Sequence, residues 1–390
     1  MSRRARGAAS RARRLRVAVV TGTRSEYGLL RSSIAAIGAH PLLELQLVAC
    51  GMHLLAKFGS TVRDIERDGW PIAARVRMQR GDDSPADQAL GLARGVAGLA
   101  RFFERARTNV VLVLGDRIEA MAAALPAVTT GRALAHIHGG DVAPGDFDDR
   151  LRDAITRLAD LHLVATAAAG RRVRRLGADP RRVFVVGAPG LDALRAAVTR
   201  RPRRRAVPRT ALVVQHASGR PAAVERRAAE LVLSAARDAG LRRAIIYPNS
   251  DGGHAGVLAA IRDHARTARN GEVEVARSLP HGEYLRRLVE ADVIVGNSSS
   301  AVIEAPFAGT PSVVVGERQR GRQPGGPSVI TAIEAPASIR AALRRALRSR
   351  RRAGGRAAYG DGPAGARLAP LPPAARLHAP AARPQRPPGG

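Results

Sequence analysis

Lysine is almost missing from this chain of 390 residues: Lys57 stands alone, and arginine carries the rest of the positive charge. That bias reads as the coding preference of a GC-rich genome. Cysteine is equally scarce. Cys50 has no second cysteine to pair with, which excludes an internal disulfide and any cysteine-rich metal site. A chain without disulfides fits a reducing compartment, so a cytoplasmic protein is expected. Aromatic residues make up only 3%, so the core must be built from Val, Leu, Ile and Ala. Their scarcity also argues against a surface on which nucleic-acid bases stack. No apolar run approaches the ~20 residues needed to cross a bilayer, so membrane insertion is not expected. Only Val17 to Val20 follow the basic N-terminus, too few for a signal peptide.

Acidic residues are missing where arginine is densest. Residues 1–16 hold seven Arg and no acid, 200–209 hold six Arg and no acid, and 339–390 hold twelve Arg against Asp361 alone. Those segments account for most of the net charge of +31 and leave +7 on the remainder. Charge placed this way reads as solvated basic tails, with no specific nucleic-acid partner. A basic nucleic-acid-binding protein is the rival reading from another class, and its affinity would fall steeply with salt.

What is present is 45% hydrophobic and long enough for two domains. Short apolar runs alternate with longer amphipathic ones, the pattern of parallel βα units. Strands are expected at 16–21, 45–50, 110–114, 133–138, 161–165 and 183–187, completing a first sheet. The alternation restarts at 210–215, 244–247, 292–296 and 312–316. The expectation is an α/β fold of two Rossmann-like domains whose parallel sheets face a cleft. Its parts are a disordered basic leader at 1–15, a first domain at 16–195, a proline-bearing linker at 196–209, a second domain at 210–363 and a disordered tail at 364–390. Open parallel sheets bind ligands at the carboxyl ends of their strands, so the chemistry should lie just past each strand.

Four such places carry suitable residues. Thr21-Gly-Thr-Arg-Ser-Glu-Tyr-Gly28 follows a strand and opens a helix, whose N-terminal N–H groups favour an anion, with Arg24 adding a charged fork. Asp116 and Arg117 follow the strand ending at Leu114, as a structural ion pair or as groups facing sugar and diphosphate. In Ala135-His-Ile-His-Gly-Gly-Asp141 the two histidines alternate along a strand and are expected on one face. No carboxylate stands at a metal-site spacing such as His-Glu-x-x-His, so acid–base work is favoured over metal binding. Asp148, Asp149 and Arg152 follow on a helix, where Asp148–Arg152 also suits a plain i,i+4 surface pair. In Gly296-Asn-Ser-Ser-Ser-Ala-Val-Ile-Glu304, Ser298 and Ser299 can cap a helix and donate to phosphate, and Glu304 can accept from ribose hydroxyls. Arg318, His216 and Asn249 also lie just past strand ends.

Taken in order, Gly22-Thr-Arg24, Gly51-Met-His-Leu-Leu55, Gly115-Asp-Arg117, Ala135 to Gly140, Asp148-Asp-x-x-Arg152, Tyr247-Pro-Asn249, Gly296-Asn-Ser-Ser299, Glu304-Ala-Pro306, Gly316-Glu-Arg-Gln319 and Tyr359-Gly-Asp-Gly362 resemble the hydrolysing UDP-N-acetylglucosamine 2-epimerases of sialic- and nonulosonic-acid synthesis. The resemblance covers roughly residues 16–363. It implies a GT-B arrangement, a UDP-sugar partner, no cofactor and no metal, and it allows a homo-oligomer. The UDP and substrate contacts it implies are Arg24, Gly28, His53, Arg117, His216, Asn249, Ser298, Ser299, Glu304 and Arg318. The catalytic residues it implies are Asp116, His138 and Asp148, with His216 close to the diphosphate. The C2 base is left open between Asp116 and His138. The implied reaction expels UDP to give a 2-acetamidoglucal, then hydrates it to N-acetylmannosamine. A nonhydrolysing epimerase or a GT-B glycosyltransferase would use the same cleft. Three departures stand out: His138 where many relatives carry Glu, Asp153 where His is common, and Thr108-Asn109 for Pro-Asp. The first two also suit another sugar, such as UDP-N,N′-diacetylbacillosamine.

Overall fold

The structure is a computed structural model that describes residues 14–80, 82, 84–143, 148–199, 209–349, 358–360 and 363–368. Most of the arginine-rich leader, linker and tail therefore lies outside the described residues, as do Asp361 and Gly362 of the last motif.

The chain alternates strand and helix. The first half runs β1 (Leu15–Thr21), α1 (Arg24–Ala39), β2 (Leu43–Cys50), α2 (Val62–Arg67), β3 (Ile72–Val76), α3 (Pro85–Arg105) and β4 (Val110–Leu114). It continues through α4 (Ile118–Thr129), β5 (Ala133–Ile137), α5 (Asp148–Leu158), β6 (Leu161–Val164), α6 (Ala167–Arg175), β7 (Val183–Val185) and α7 (Gly190–Thr199). The second half runs β8 (Thr210–Val214), α8 (Ala222–Asp238), β9 (Arg242–Ile246), α9 (His254–Thr267), β10 (Val273–Ala276) and α10 (His281–Glu290). It ends with β11 (Val293–Gly296), α11 (Glu304–Ala308), β12 (Ser312–Val315), β13 (Val329–Ala332) and α12 (Pro336–Arg348).

Two wholly parallel sheets result, ordered β3-β2-β1-β4-β5-β6-β7 and β10-β9-β8-β11-β12-β13. In each, the order reverses beside the first strand, between β1 and β4 and between β8 and β11. A crevice opens at such a point because successive helices leave toward opposite faces. Central strands are buried on both faces, which is why β1 and β4 read as unbroken apolar runs. The expected first sheet lacked β3, and the second lacked β10 and β13. All three are edge strands with at least one exposed position each, and a polar residue interrupts each of them: Arg75, Glu274 and Thr331.

Helices cover both faces of each sheet. Val17, Val19, Leu30 and Ile34 pack α1 on one side of the first sheet, while Val20, Val111, Leu99 and Phe103 pack α3 on the other. Each such side chain, fully buried, contributes about 1.5–3 kcal/mol of transfer free energy. Helix α7 departs from the expected boundary. Leu191 and Leu194 join the core of the second sheet with Leu212, Val214 and Ile294, although they precede the expected linker, and residues 196–199 of that linker are helical. The first residues of the expected tail are folded too: Asp192 accepts the backbone N–H groups of Ala364 and Gly365 at 2.9 and 2.8 Å. There the chain returns to its first domain, the Ala188 N–H donating to Tyr359 O at 2.9 Å. Gly187 and Gly360 lie against each other at this crossing, with φ of +89° and +92°. No helix among the described residues is long and apolar enough to cross a membrane.

Gly256 of α9 tests the packing away from the cleft. A Cβ there would lie 1.8 Å from the Ala222 carbonyl oxygen of α8, which is backbone and cannot swing aside. Gly256→Ala is expected to lower stability by about 1–3 kcal/mol in urea unfolding; an unchanged midpoint would contradict this helix pairing.

Candidate functional site

A cavity of about 220 Å³ lies between the two sheets, at the carboxyl ends of their strands. Eleven of the expected site residues line it: Arg24, Asp116, Arg117, His138 and Asp148 from the first domain, and His216, Asn249, Ser298, Ser299, Glu304 and Arg318 from the second.

Gly28 and His53 are not brought to the cavity wall. Gly28 is where α1 passes His281 of α10, whose ring nitrogen would lie 2.5 Å from an added Cβ. His53 is fully buried, its ring held between the hydroxyls of Thr21 at 3.2 Å and Thr61 at 2.8 Å. Its backbone N–H donates to Gly22 O at 3.1 Å, so it braces the loop after β1 from behind.

That loop is shaped by α1. Thr23 caps the helix by accepting the Glu26 N–H at 3.2 Å, and the Glu26 carboxyl accepts the Gly22 N–H at 2.7 Å, a reciprocal capping pair. Arg24 then reaches across the cavity to the Leu279 carbonyl of the second domain.

One end of the cavity is cationic. Arg117, at the N-cap of α4, donates to Glu119 at 3.2 Å and to Asp251 at 2.7 Å. Burial works against its charge, but Glu119, Asp251 and Asp148 outweigh it and raise its pKa above the ordinary value. Arg318 lies 3.4 Å from Asp251 and 3.8 Å from Asp148. His216 completes this end. Its Nδ1 accepts the Asn249 N–H at 3.1 Å, so the neutral ring carries its proton on Nε2. Burial, with Arg318 and Arg117 nearby, pulls its pKa down to about 3. His216 is therefore a neutral hydrogen-bond donor at neutral pH and not a proton acceptor. Asn297 fixes it further, exchanging hydrogen bonds with its backbone N–H at 2.7 Å and carbonyl at 2.9 Å.

After β11 the structure differs from the expected strand-to-helix turn. A single 3-10 turn, Ser299–Ala301, is capped by Ser298, and α11 begins only at Glu304. Glu304 is buried at the cavity wall. Burial raises its pKa, and its Oε2 meets no hydrogen-bond donor among the described residues.

Elsewhere the cavity wall carries His138 and the carboxylates around it. The expected sharing of one face by His136 and His138 does not occur, because β5 stops at Ile137 and His138 takes a left-handed backbone with φ +62°. His136 is fully buried, its ring contacting Gly115 O at 2.7 Å and the Thr156 hydroxyl at 3.2 Å. His138 turns into the cavity. Its Nδ1 lies 3.1 Å from the Asp141 carboxylate, which can only accept, so Nδ1 carries a proton and, in the neutral ring, Nε2 holds the lone pair. Burial pushes the Asp141 carboxyl up, but the hydrogen bond from His138 and the nearby charge of Arg322 outweigh it and hold the pKa below the usual range. Asp116 is ion-paired with Arg152, which also pairs with Asp149 and donates to Asp141 O at 3.0 Å. Arg152 is 1% exposed, so the surface pair considered for Asp148 and Arg152 is replaced by buried pairs with Asp116 and Asp149. Asp153 pairs with Arg172 at 2.8 Å and does not line the cavity. Thr108 and Asn109 tie strands together through Gln46 at 2.7 Å and the Arg16 N–H at 3.0 Å.

Sequence reasoning missed Asp251 and Glu119, which hold Arg117, and did not single out Glu26. Asp251 stands five residues past β9, so the strand-tip rule itself would have reached it. Glu119 looks like an ordinary first-turn helix residue, and its burial is visible only in three dimensions.

Two parallel sheets in Rossmann order, meeting across a cleft lined by arginines, carboxylates and histidines, define a GT-B-type fold. The sequence pattern of the UDP-N-acetylglucosamine 2-epimerase family matches residues 35–371. The chain is 32% identical over 318 residues to a hydrolysing UDP-N,N′-diacetylbacillosamine 2-epimerase of Legionella pneumophila, covering 79% of this chain and 82% of that one. It is 29% identical over 318 residues to a UDP-N-acetylglucosamine 2-epimerase of Neisseria meningitidis, covering 80% and 82%. Among solved structures, the UDP-GlcNAc 2-epimerase of Neisseria meningitidis bound to UDP-GlcNAc aligns with a TM-score of 0.74 at 16% identity, over 90% of this chain and 97% of that one. The chain belongs to the UDP-N-acetylglucosamine 2-epimerase family.

The buried histidines make a pH dependence testable. His53 and His216 are pulled down to about 3, and His136, His162 and His281 to about 4, burial being the main cause in each. Unfolded, each would titrate near ~6.5. The stability they lend is full above that pH and is lost as pH falls toward the folded values. Glu26 works oppositely: burial raises it to about 8, so it loses stability as pH rises from the ordinary carboxyl range through that value. Unfolding at about pH 5.5 should therefore take up roughly four protons net, and about one more in Glu26→Gln. Urea titrations across pH measure this; uptake below one proton would contradict the buried neutral histidines.

Proposed function

We propose that this chain hydrolyses a UDP-2-acetamido sugar, UDP-N-acetylglucosamine or its N,N′-diacetylbacillosamine counterpart, to UDP and the free 2-epimeric sugar. What carries the reading is the polarity of one cavity: Arg117, Arg318 and the His216 Nε2–H gather at one end, while His138 with Asp141 and Asp116 with Arg152 stand at the other. The hydrolysing relative from Legionella supports the choice over a nonhydrolysing epimerase.

In this mechanism the diphosphate lies against Arg24, Arg117, Arg318 and His216, which meet the charge that grows as the C1–O bond breaks. The open acceptor on Glu304 takes a ribose hydroxyl, with Asn249, Ser298 and Ser299 as neighbouring contacts. UDP leaves with the bonding electron pair. His138 Nε2 removes the C2 proton, and a C1=C2 double bond forms. Asp116, already paired with Arg152, is the weaker base of the two and acts electrostatically on positive charge developing at C1. Water then adds through oxygen to C1, and C2 takes a proton on the opposite face. The sum is UDP-sugar plus water giving UDP plus the epimeric sugar. Asp148, 3.8 Å from Arg318 on the cavity wall, helps to orient the water.

Proton NMR in D2O with a panel of UDP-sugars tests this. The expected result is a free 2-epimeric sugar carrying deuterium at C2. Unreacted substrate throughout the panel, or an epimer still attached to UDP, would sink the hydrolytic reading. His138→Gln should lower turnover by about 10²-fold or more while leaving UDP affinity within about twofold. A comparable loss of UDP affinity would assign His138 to binding instead.

A further inference from the structure

Asp251 belongs to none of the recognised motifs, yet it sits at the centre of the cationic end. Its Oδ1 accepts from Arg117 Nη1 at 2.7 Å, and its Oδ2 faces Arg318 Nη2 at 3.4 Å. One arginine comes from the first domain and the other from the second, so a single carboxylate holds both. Burial pushes the Asp251 carboxyl up, but the charges of Arg117 and Arg318 outweigh it and keep it an anion.

The backbone under Asp251 is fixed. Its carbonyl accepts both the backbone N–H and the ring Nδ1–H of His254, at 3.1 and 3.0 Å, where α9 begins. Ser250, just before it, is tied across the cleft: its carbonyl accepts from Gln88 at 2.9 Å, and its N–H points at the Met52 sulfur at 3.4 Å. The carboxylate can therefore yield its partners only by rotating its side chain. A diphosphate needs the same guanidinium donors, and two anions sharing them repel each other.

We propose that Asp251 is a built-in competitor for the diphosphate, which loosens the hold of Arg117 and Arg318 on UDP and hastens its departure. This rests on the UDP-sugar reading above. It suits a hydrolytic outcome: a glycal kept beside tightly held UDP can recombine with it, whereas early release of UDP leaves water as the nucleophile.

Calorimetric titration of the full-length chain with UDP and with uridine tests the idea on wild type and Asp251→Asn, a nearly isosteric change. UDP should bind the variant about tenfold more tightly, equivalent to about 1.4 kcal/mol. Uridine, which has no diphosphate, should bind unchanged. In turnover, kcat and KM should both fall as UDP release slows. If the variant binds UDP equally or more weakly while uridine is unaffected, Asp251 merely aligns the arginines and the inference is overturned. Asp251→Ser repeats the comparison if asparagine perturbs uridine binding. Wild type that binds no UDP would instead overturn the nucleotide-sugar reading itself.

Discussion

A guanidinium taken out of water must find a counter-charge, and that requirement organises the whole cleft. Arg117 is met by Glu119 and Asp251, Arg318 by Asp251 and Asp148, and Arg152 by Asp116 and Asp149. These pairs do more than neutralise. Each arginine is clamped by carboxylates on different elements, which sets the direction of its remaining donors. The side chains at this part of the cleft are thus held in place, and the hydrogen bond from His138 helps Asp141 keep its charge. Because Asp251 answers arginines from both domains, the same pairing that shapes the site also holds the two sheets face to face.

Much of this was legible in the chain before any coordinates. Central strands bury both faces, so β1, β4, β8 and β11 announce themselves as short apolar blocks, and their tips locate the cleft. The edge strands β3, β10 and β13 were not legible, because Arg75, Glu274 and Thr331 interrupt their short apolar runs. Residue by residue, the same divide recurs. Arg24, Arg117 and Arg318 follow strands directly and were found. The shared face expected of His136 and His138 does not form, because β5 ends at Ile137 and the backbone turns left-handed at His138. The pairing of Arg152 with Asp116 spans two separate βα units, and no local spacing encodes it.

The histidines illustrate how environment divides one residue type among several tasks. His53 and His136 are enclosed by hydroxyls and a carbonyl and serve as neutral braces. His216 presents a donor because a backbone N–H occupies its other nitrogen. His138 alone is backed by a carboxylate, which leaves it with an open acceptor facing the cavity. The chemistry each can perform follows from its second nitrogen more than from its place in the sequence.

The contact of Gly187 with Gly360, where the chain leaves the first domain and later comes back to it, has a mechanical consequence. Two connections lying side by side act as a single short pivot. Both glycines occupy conformations that other residues rarely adopt, and no side chain stands between the two connections. A few degrees of turning there translate into travel that grows with distance from the axis. For a given rotation the mouth of the cleft, far from the axis, would move most, while groups close to it would keep their spacing.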